Sequence, residues 1–267
     1  MMKKVKLPQF ILDLPKLKST KISNALKKTL LLFLIFFMGL IKPQTETASA
    51  DNNTDKTDEW ISYFKNAGYA ISPEVYIAAK QNDYPAFVRA QVNEQLITEV
   101  QEFVRTVAPL SKMDAREIVR VCNNYDLDII FVLAQGLLES HFGTKGVAIR
   151  TNSVFNVGAY DSGHINPNYV YKDPNESIEP YAKLLNEKYL VDDKTLNSLL
   201  TDKGFINYEG KRYATDTKYE PLLRTTMVRI SLETNISMYQ DIYNLSDEKI
   251  IAYFRPINNE INLLANK

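Results

Sequence analysis

The stretch Leu127–Phe142, LDIIFVLAQGLLESHF, is apolar on nearly every side. A helix that is apolar all round is buried, so this segment predicts the core helix of a helical domain. Before its polar end at Ser140-His141, its exceptions are Asp128, Gln135 and Glu139. They fall at i, i+7 and i+11, which is one narrow stripe along a helix. Asp128 reads as a first-turn acid complementing the helix dipole. Glu139 sits against apolar walls at the far end, where a cleft rim is expected. Desolvation there penalises the ionised carboxylate and raises its pKa, the condition for donating a proton near neutral pH. The stripe also fits a C-terminal glutamate held by neighbouring groups, and it does not choose between the two readings. His141 points about 100° further round the helix than Ser140 and reads as a structural or rim residue.

Helical signals extend to both sides. Short helices are expected at Trp60–Tyr69 and Pro73–Gln81. A longer one is expected at Ala86–Val107, with Leu96, Val100, Phe103, Val104 and Val107 on one face and Pro109 ending it. Ser111 and Asp114 form an N-cap pair for a helix running to about Asn124, in which Cys122 reads as a small core hydrophobe. Asp173-Pro174-Asn175-Glu176 opens another helix. Pro180 inside it requires a kink or a second start. Thr217 and Glu220 open the next helix, through Leu222, Leu223, Met227 and Ile230, and Ser246 begins a C-terminal pair. Between Asn152 and Tyr171 the pattern changes to Asn, Gly, Asp and Pro punctuation with β-prone runs at Val154-Phe155 and Tyr169–Tyr171. The expected fold class is therefore mainly α, with a small loop and β lobe and preceding N-terminal helices.

Composition narrows the function. Forty-five per cent hydrophobic residues over 267 positions suffice for one generous core. One cysteine and two distant histidines exclude a disulfide framework and make a protein-only metal site unexpected, so no metal or cofactor is anticipated. The zero net charge hides an asymmetry. Residues 1–50 carry nine lysines against two acids, while the rest carries 23 basic and 30 acidic residues. A net-acidic body does not suit a protein that tracks nucleic-acid phosphates.

The basic leader has its own reading. Leu30–Ile41, LLLFLIFFMGLI, follows Lys27-Lys28 and precedes Ala48-Ser49-Ala50. A basic flank, a short apolar run and a small-x-small site make a secretory signal. Twelve helical residues rise about 18 Å, short of the roughly 30 Å hydrocarbon core. Residues 1–50 are thus expected to export the chain to the envelope or beyond. The alternative is an uncleaved anchor that meets the membrane through residues 30–41. Residues 51–110 read as a linker and N-terminal helical segment, 111–235 as the domain built on the core helix, and 236–267 as a helical extension. The oligomeric state is not legible.

Four blocks carry a resemblance. Ala134–Thr144, AQGLLESHFGT, resembles the A-Q-x-x-x-E-S-x-[WF]-G helix of bacterial endo-β-N-acetylglucosaminidases of glycoside hydrolase family 73. Asn152–Gly158 resembles that family's N-x-F-G-V segment, Ser177–Leu185 its S-[IL]-x-D-Y-x-x-L-L segment, and Tyr213–Tyr219 its Y-A-T-D-P-x-Y segment. The resemblance implies a lysozyme-like α domain that hydrolyses the β-1,4 glycan of bacterial peptidoglycan. It places Glu139 as general acid, protonating the leaving oxygen of a glycosidic bond, and Tyr181 as an active-site tyrosine. Gln135, Asn156, Tyr213 and Tyr219 are substrate-binding candidates, although turn and packing roles suit Asn156, Tyr213 and Tyr219 equally, and Asp216 reads as a turn or cap. The aspartate preceding the tyrosine is Pro180 here, and the lobe is short. Asp161, His164 and Asp173 are the candidates for a second role, with His164 expected to face solvent. Assistance by the substrate's own N-acetyl group is the other route. The same departures fit a second reading, a lysozyme-like module that binds cell wall without cutting it, in an envelope complex or a phage particle.

Overall fold

The computed structural model describes residues 73–74, 77, 83–159, 162–192, 194–201 and 204–252. The leader, the linker and the helix expected at Trp60–Tyr69 lie outside the described residues, as does most of Pro73–Gln81. One compact unit spans Ala70–Asp247, and it is mainly helical, as expected.

Helix α1, Tyr84–Val107, starts where Asp83 accepts a bond from the Ala86 amide at 3.0 Å. Its buried face is Phe87, Val88, Val92, Leu96, Val100, Phe103 and Val104. Helix α2, Ala115–Asn124, starts at Asp114, which accepts from the Arg116 amide at 2.8 Å. Ile118, Val119, Val121 and Cys122 form its buried face, and burial pushes the Cys122 thiol well above its usual range. Helix α3, Ile129–Ser140, is the anticipated core helix, buried at every position from Ile129 to Gly136. Asp128 is its N-cap, accepting from the Phe131 amide at 2.9 Å, which is more specific than dipole compensation. His141 and Phe142 both take positive φ, 53° and 54°, and the Phe142 amide returns to the Gly136 carbonyl at 2.9 Å. That left-handed cap stops α3 one residue after Glu139.

The segment from 144 to 173 contains the short helix α4, Ala148–Thr151, and a 3-10 turn at Pro167–Tyr169. The β-prone runs are not strands. Among the described residues this lobe has one isolated bridge, Ala159 to Ile165. The reason lies in who satisfies the backbone: the Val154 carbonyl accepts from Ser140 Oγ at 2.6 Å, its amide donates to Ser177 Oγ at 3.2 Å, and the Phe155 carbonyl accepts from Tyr213 at 3.1 Å. Side chains take the bonds that a strand would give to a ladder.

Pro180 resolves as the second start. A 3-10 turn at Pro174–Ser177 precedes α5, Ile178–Leu184, so the proline occupies the first turn, where its missing N–H costs no helical bond. A π turn at Leu185–Tyr189 and the short α6, Leu196–Leu199, follow. Helix α7, Tyr219–Glu233, does not use the expected Thr217 and Glu220 box. Asp216 Oδ1 accepts from the Lys218 amide at 2.8 Å, while Glu220 is buried and binds the Phe205 amide at 2.8 Å and Arg212 at 2.5 Å. Helix α8, Ile236–Tyr243, is not among the expected starts, while a helical run over 247–252 does begin just after Ser246. In the core, α1 packs against α2 and α8, and α3 packs against α7, α2 and α8.

Candidate active site

Every group around Glu139 is held by a different element. Glu139 itself occupies the last turn of α3, half-buried, and Ser140 beside it anchors that turn to the lobe through the Val154 carbonyl. Tyr219, the first residue of α7, donates its hydroxyl to Glu139 Oε1 at 2.7 Å. From the lobe, Asn156 donates Nδ2 to the Glu139 main-chain carbonyl at 2.6 Å and, at 3.4 Å, to Oε2. Its backbone takes φ 51°, which asparagine tolerates better than most residues, and its Oδ1 is buried without a partner.

Burial is the largest influence on the Glu139 carboxyl and raises its pKa. The bonds from Tyr219 and Asn156 favour the ionised form and only partly offset that rise. No charged neighbour is among these causes. The direction matches the expectation from the apolar helix.

Behind Glu139 lies a sealed layer. Gln135, one turn earlier on α3, is wholly buried and donates Nε2 to the Tyr219 hydroxyl at 2.9 Å. Tyr181 of α5 is also wholly buried; its hydroxyl donates to Gln135 Oε1. Its ring stacks on Phe155 at 3.7 Å and 9°. Neither Gln135 nor Tyr181 has surface with which to meet a ligand, so both lie in the layer behind Glu139. Tyr213 is half-buried, bonded to the Phe155 carbonyl, stacked on Phe205 at 4.7 Å and 5.8 Å from the ring of Tyr219.

The structure thus brings Gln135, Glu139, Asn156, Tyr181, Tyr213 and Tyr219 into one cluster. Two of the candidates for a second role, Asp173 and His164, are not among those six. Asp173 caps the 3-10 turn, accepting from the Asn175 amide at 2.8 Å; His164 is exposed; and Asp161 lies outside the described residues. His141 serves as the α3 cap. Phe155, which supports both Tyr181 and Tyr213, escaped the sequence reading, because its run looked like a strand. Among the described residues no group of three or more His, Cys, Asp or Glu could hold a metal, and no helix is long and apolar enough to cross a membrane.

Comparison with known proteins finds a family match over part of the chain. Residues 115–232 match the family described as Glucosaminidase, mannosyl-glycoprotein endo-beta-N-acetylglucosaminidase. No curated protein matches the chain. The matched span runs from the first residue of α2 to the last turn of α7 and contains all six clustered residues. The chain therefore carries a domain of the glucosaminidase family, glycoside hydrolases of the endo-β-N-acetylglucosaminidase type.

Proposed function

We propose that this protein is an exported peptidoglycan hydrolase that cuts β-1,4 bonds of the cell-wall glycan after N-acetylglucosamine, with Glu139 as proton donor. The observation that carries this reading is a half-buried carboxyl with a raised pKa, held by Tyr219 and Asn156 at the end of the core helix.

The chemistry follows from that setting. Protonated Glu139 gives its proton to the glycosidic oxygen as the bond from that oxygen to C1 breaks. Among the described residues no charged group acts on Glu139, and in this route charge at C1 is met by the carbonyl oxygen of the substrate's 2-acetamido group, which closes a ring onto C1. Water then attacks C1, the ionised Glu139 takes its proton, the ring opens, and the configuration at C1 is retained. Tyr219 stabilises the carboxylate between the two steps. Asn156 fixes the end of α3 from the lobe side.

Digestion of purified sacculi, with mass spectrometry of the borohydride-reduced products, tests the assignment. N-acetylglucosaminitol ends are expected. Muramitol ends would make the enzyme a muramidase, and anhydromuramic ends a lytic transglycosylase. Sacculus binding with no released fragment at any pH would establish the non-catalytic module instead.

A further inference from the structure

The hydrogen bonds behind Glu139 have a direction. Tyr181 is sealed from water, and its hydroxyl proton goes to Gln135 Oε1. An amide that accepts with its oxygen on one side must present its NH2 on the other. Gln135 Nε2 accordingly donates to the Tyr219 oxygen at 2.9 Å. Because Tyr219 accepts there, its own proton is directed to Glu139 Oε1 at 2.7 Å. An oxygen that receives this bond is the poorer place for the acid proton. Oε2, whose contact with Asn156 Nδ2 is long at 3.4 Å, is the better one.

We propose that Tyr181 and Gln135 are positioning residues that orient the chain Tyr181 to Gln135 to Tyr219 to Glu139 in one direction and so reserve Glu139 Oε2 for the transferable proton. This rests on the reading of Glu139 as the acid. The groups that face its carboxyl are Tyr219 from α7, Tyr213 from the turn before it, Tyr181 from α5 and uncharged Asn156 from the lobe. Burial pushes all three phenols upward, so they stay neutral while the carboxyl titrates.

The direction depends on a buried proton two hydrogen bonds removed from Tyr219's bond to Glu139. Tyr181→Phe is expected to keep the ring on Phe155 and removes the hydroxyl, so Gln135 Oε1 loses its donor. Gln135 can then turn its oxygen toward Tyr219, whose hydroxyl donates to it and leaves Glu139 without its bond. The carboxylate loses stabilisation and its pKa rises further.

The test is a titration of the Glu139 carboxyl carbon by 13C NMR, assigned by its absence in Glu139→Gln, in wild type, Tyr181→Phe, Tyr219→Phe and the double variant. The expected result is an upward shift in Tyr181→Phe, of the same sign as in Tyr219→Phe, with the double variant titrating like Tyr219→Phe alone. In parallel, the alkaline limb of the pH–rate profile moves up and kcat falls about tenfold with KM unchanged, the size of one lost charge-assisted bond. An unmoved carboxyl in folded Tyr181→Phe, or shifts that add in the double variant, would overturn the proposal. Should Tyr181→Phe not fold, Gln135→Met, close in volume, gives the second test: with no amide oxygen to take the Tyr219 proton, the bond to Glu139 stays and the carboxyl titrates as in wild type, and an upward shift as large as in Tyr219→Phe would overturn the proposal. The titration reads the bond direction without activity, so a wild-type rate in Glu139→Gln would remove the acid assignment while leaving this result to stand or fall separately.

Discussion

Glu139 pays in stability for its chemistry. Its folded pKa lies above the value of an exposed glutamate because burial disfavours the charge. For an acid with a raised folded pKa, the stabilising contribution is complete below the unfolded pKa and is lost as pH rises through the folded one. Glu139→Gln should therefore melt higher than wild type above neutrality, and the difference should shrink on acidification. Thermal melts across pH check this; a lower melting temperature for the variant at alkaline pH would contradict it. A second residue-scale prediction concerns Gly158, at φ 76°, where an added Cβ would lie 2.4 Å from Tyr169 Cδ2. Gly158→Ala is expected to cost about 1–3 kcal/mol through overpacking and positive-φ strain, measured by denaturant unfolding.

At the scale of elements, side chains hold helix ends that the core alone would leave loose. Gln240 of α8 accepts from the Ile129 amide at 3.0 Å and donates Nε2 to the Leu127 carbonyl at 2.8 Å, clasping the start of α3. Gln240→Ala should cost about 1–3 kcal/mol, the penalty of unpaired buried polar groups, and leave the pH–rate profile unmoved, since the clasp lies at the end of α3 opposite Glu139. The core helix was legible because its apolar run leaves one interpretation, and Asp114 and Asp128, both noted in the sequence, stand at real helix starts. The cluster was legible through the blocks that resemble the family. Three things were not. The Val154-Phe155 run has strand propensity, yet Ser140, Ser177 and Tyr213, distant in sequence, take its backbone bonds. Helix α8 is short, and its start is held from another helix: Glu99 of α1 accepts from the Asn235 amide at 3.0 Å. Tyr181 and Gln135 look like cleft residues in a motif, and only the packing shows that both face inward.

For the whole molecule, α1 is part of the same core as the glucosaminidase-family span. Seven of its apolar side chains are buried, and Phe103 meets Phe142, whose amide bonds back into the last turns of α3, edge-on at 6.2 Å. Burial of that face is worth on the order of 10 kcal/mol, comparable with the whole stability of a domain. A chain beginning at Ser111 is therefore expected to lose its cooperative thermal transition, followed by circular dichroism; a sharp melt near the full-length value would show α1 to be dispensable. The central claim, that Glu139 donates the proton, is tested most directly by the rate at which folded Glu139→Gln releases fragments from sacculi beside wild type. The expected loss is about 10²–10⁴-fold or more, the contribution of a general acid, with sacculus binding retained. Equal rates for the two proteins would contradict the account.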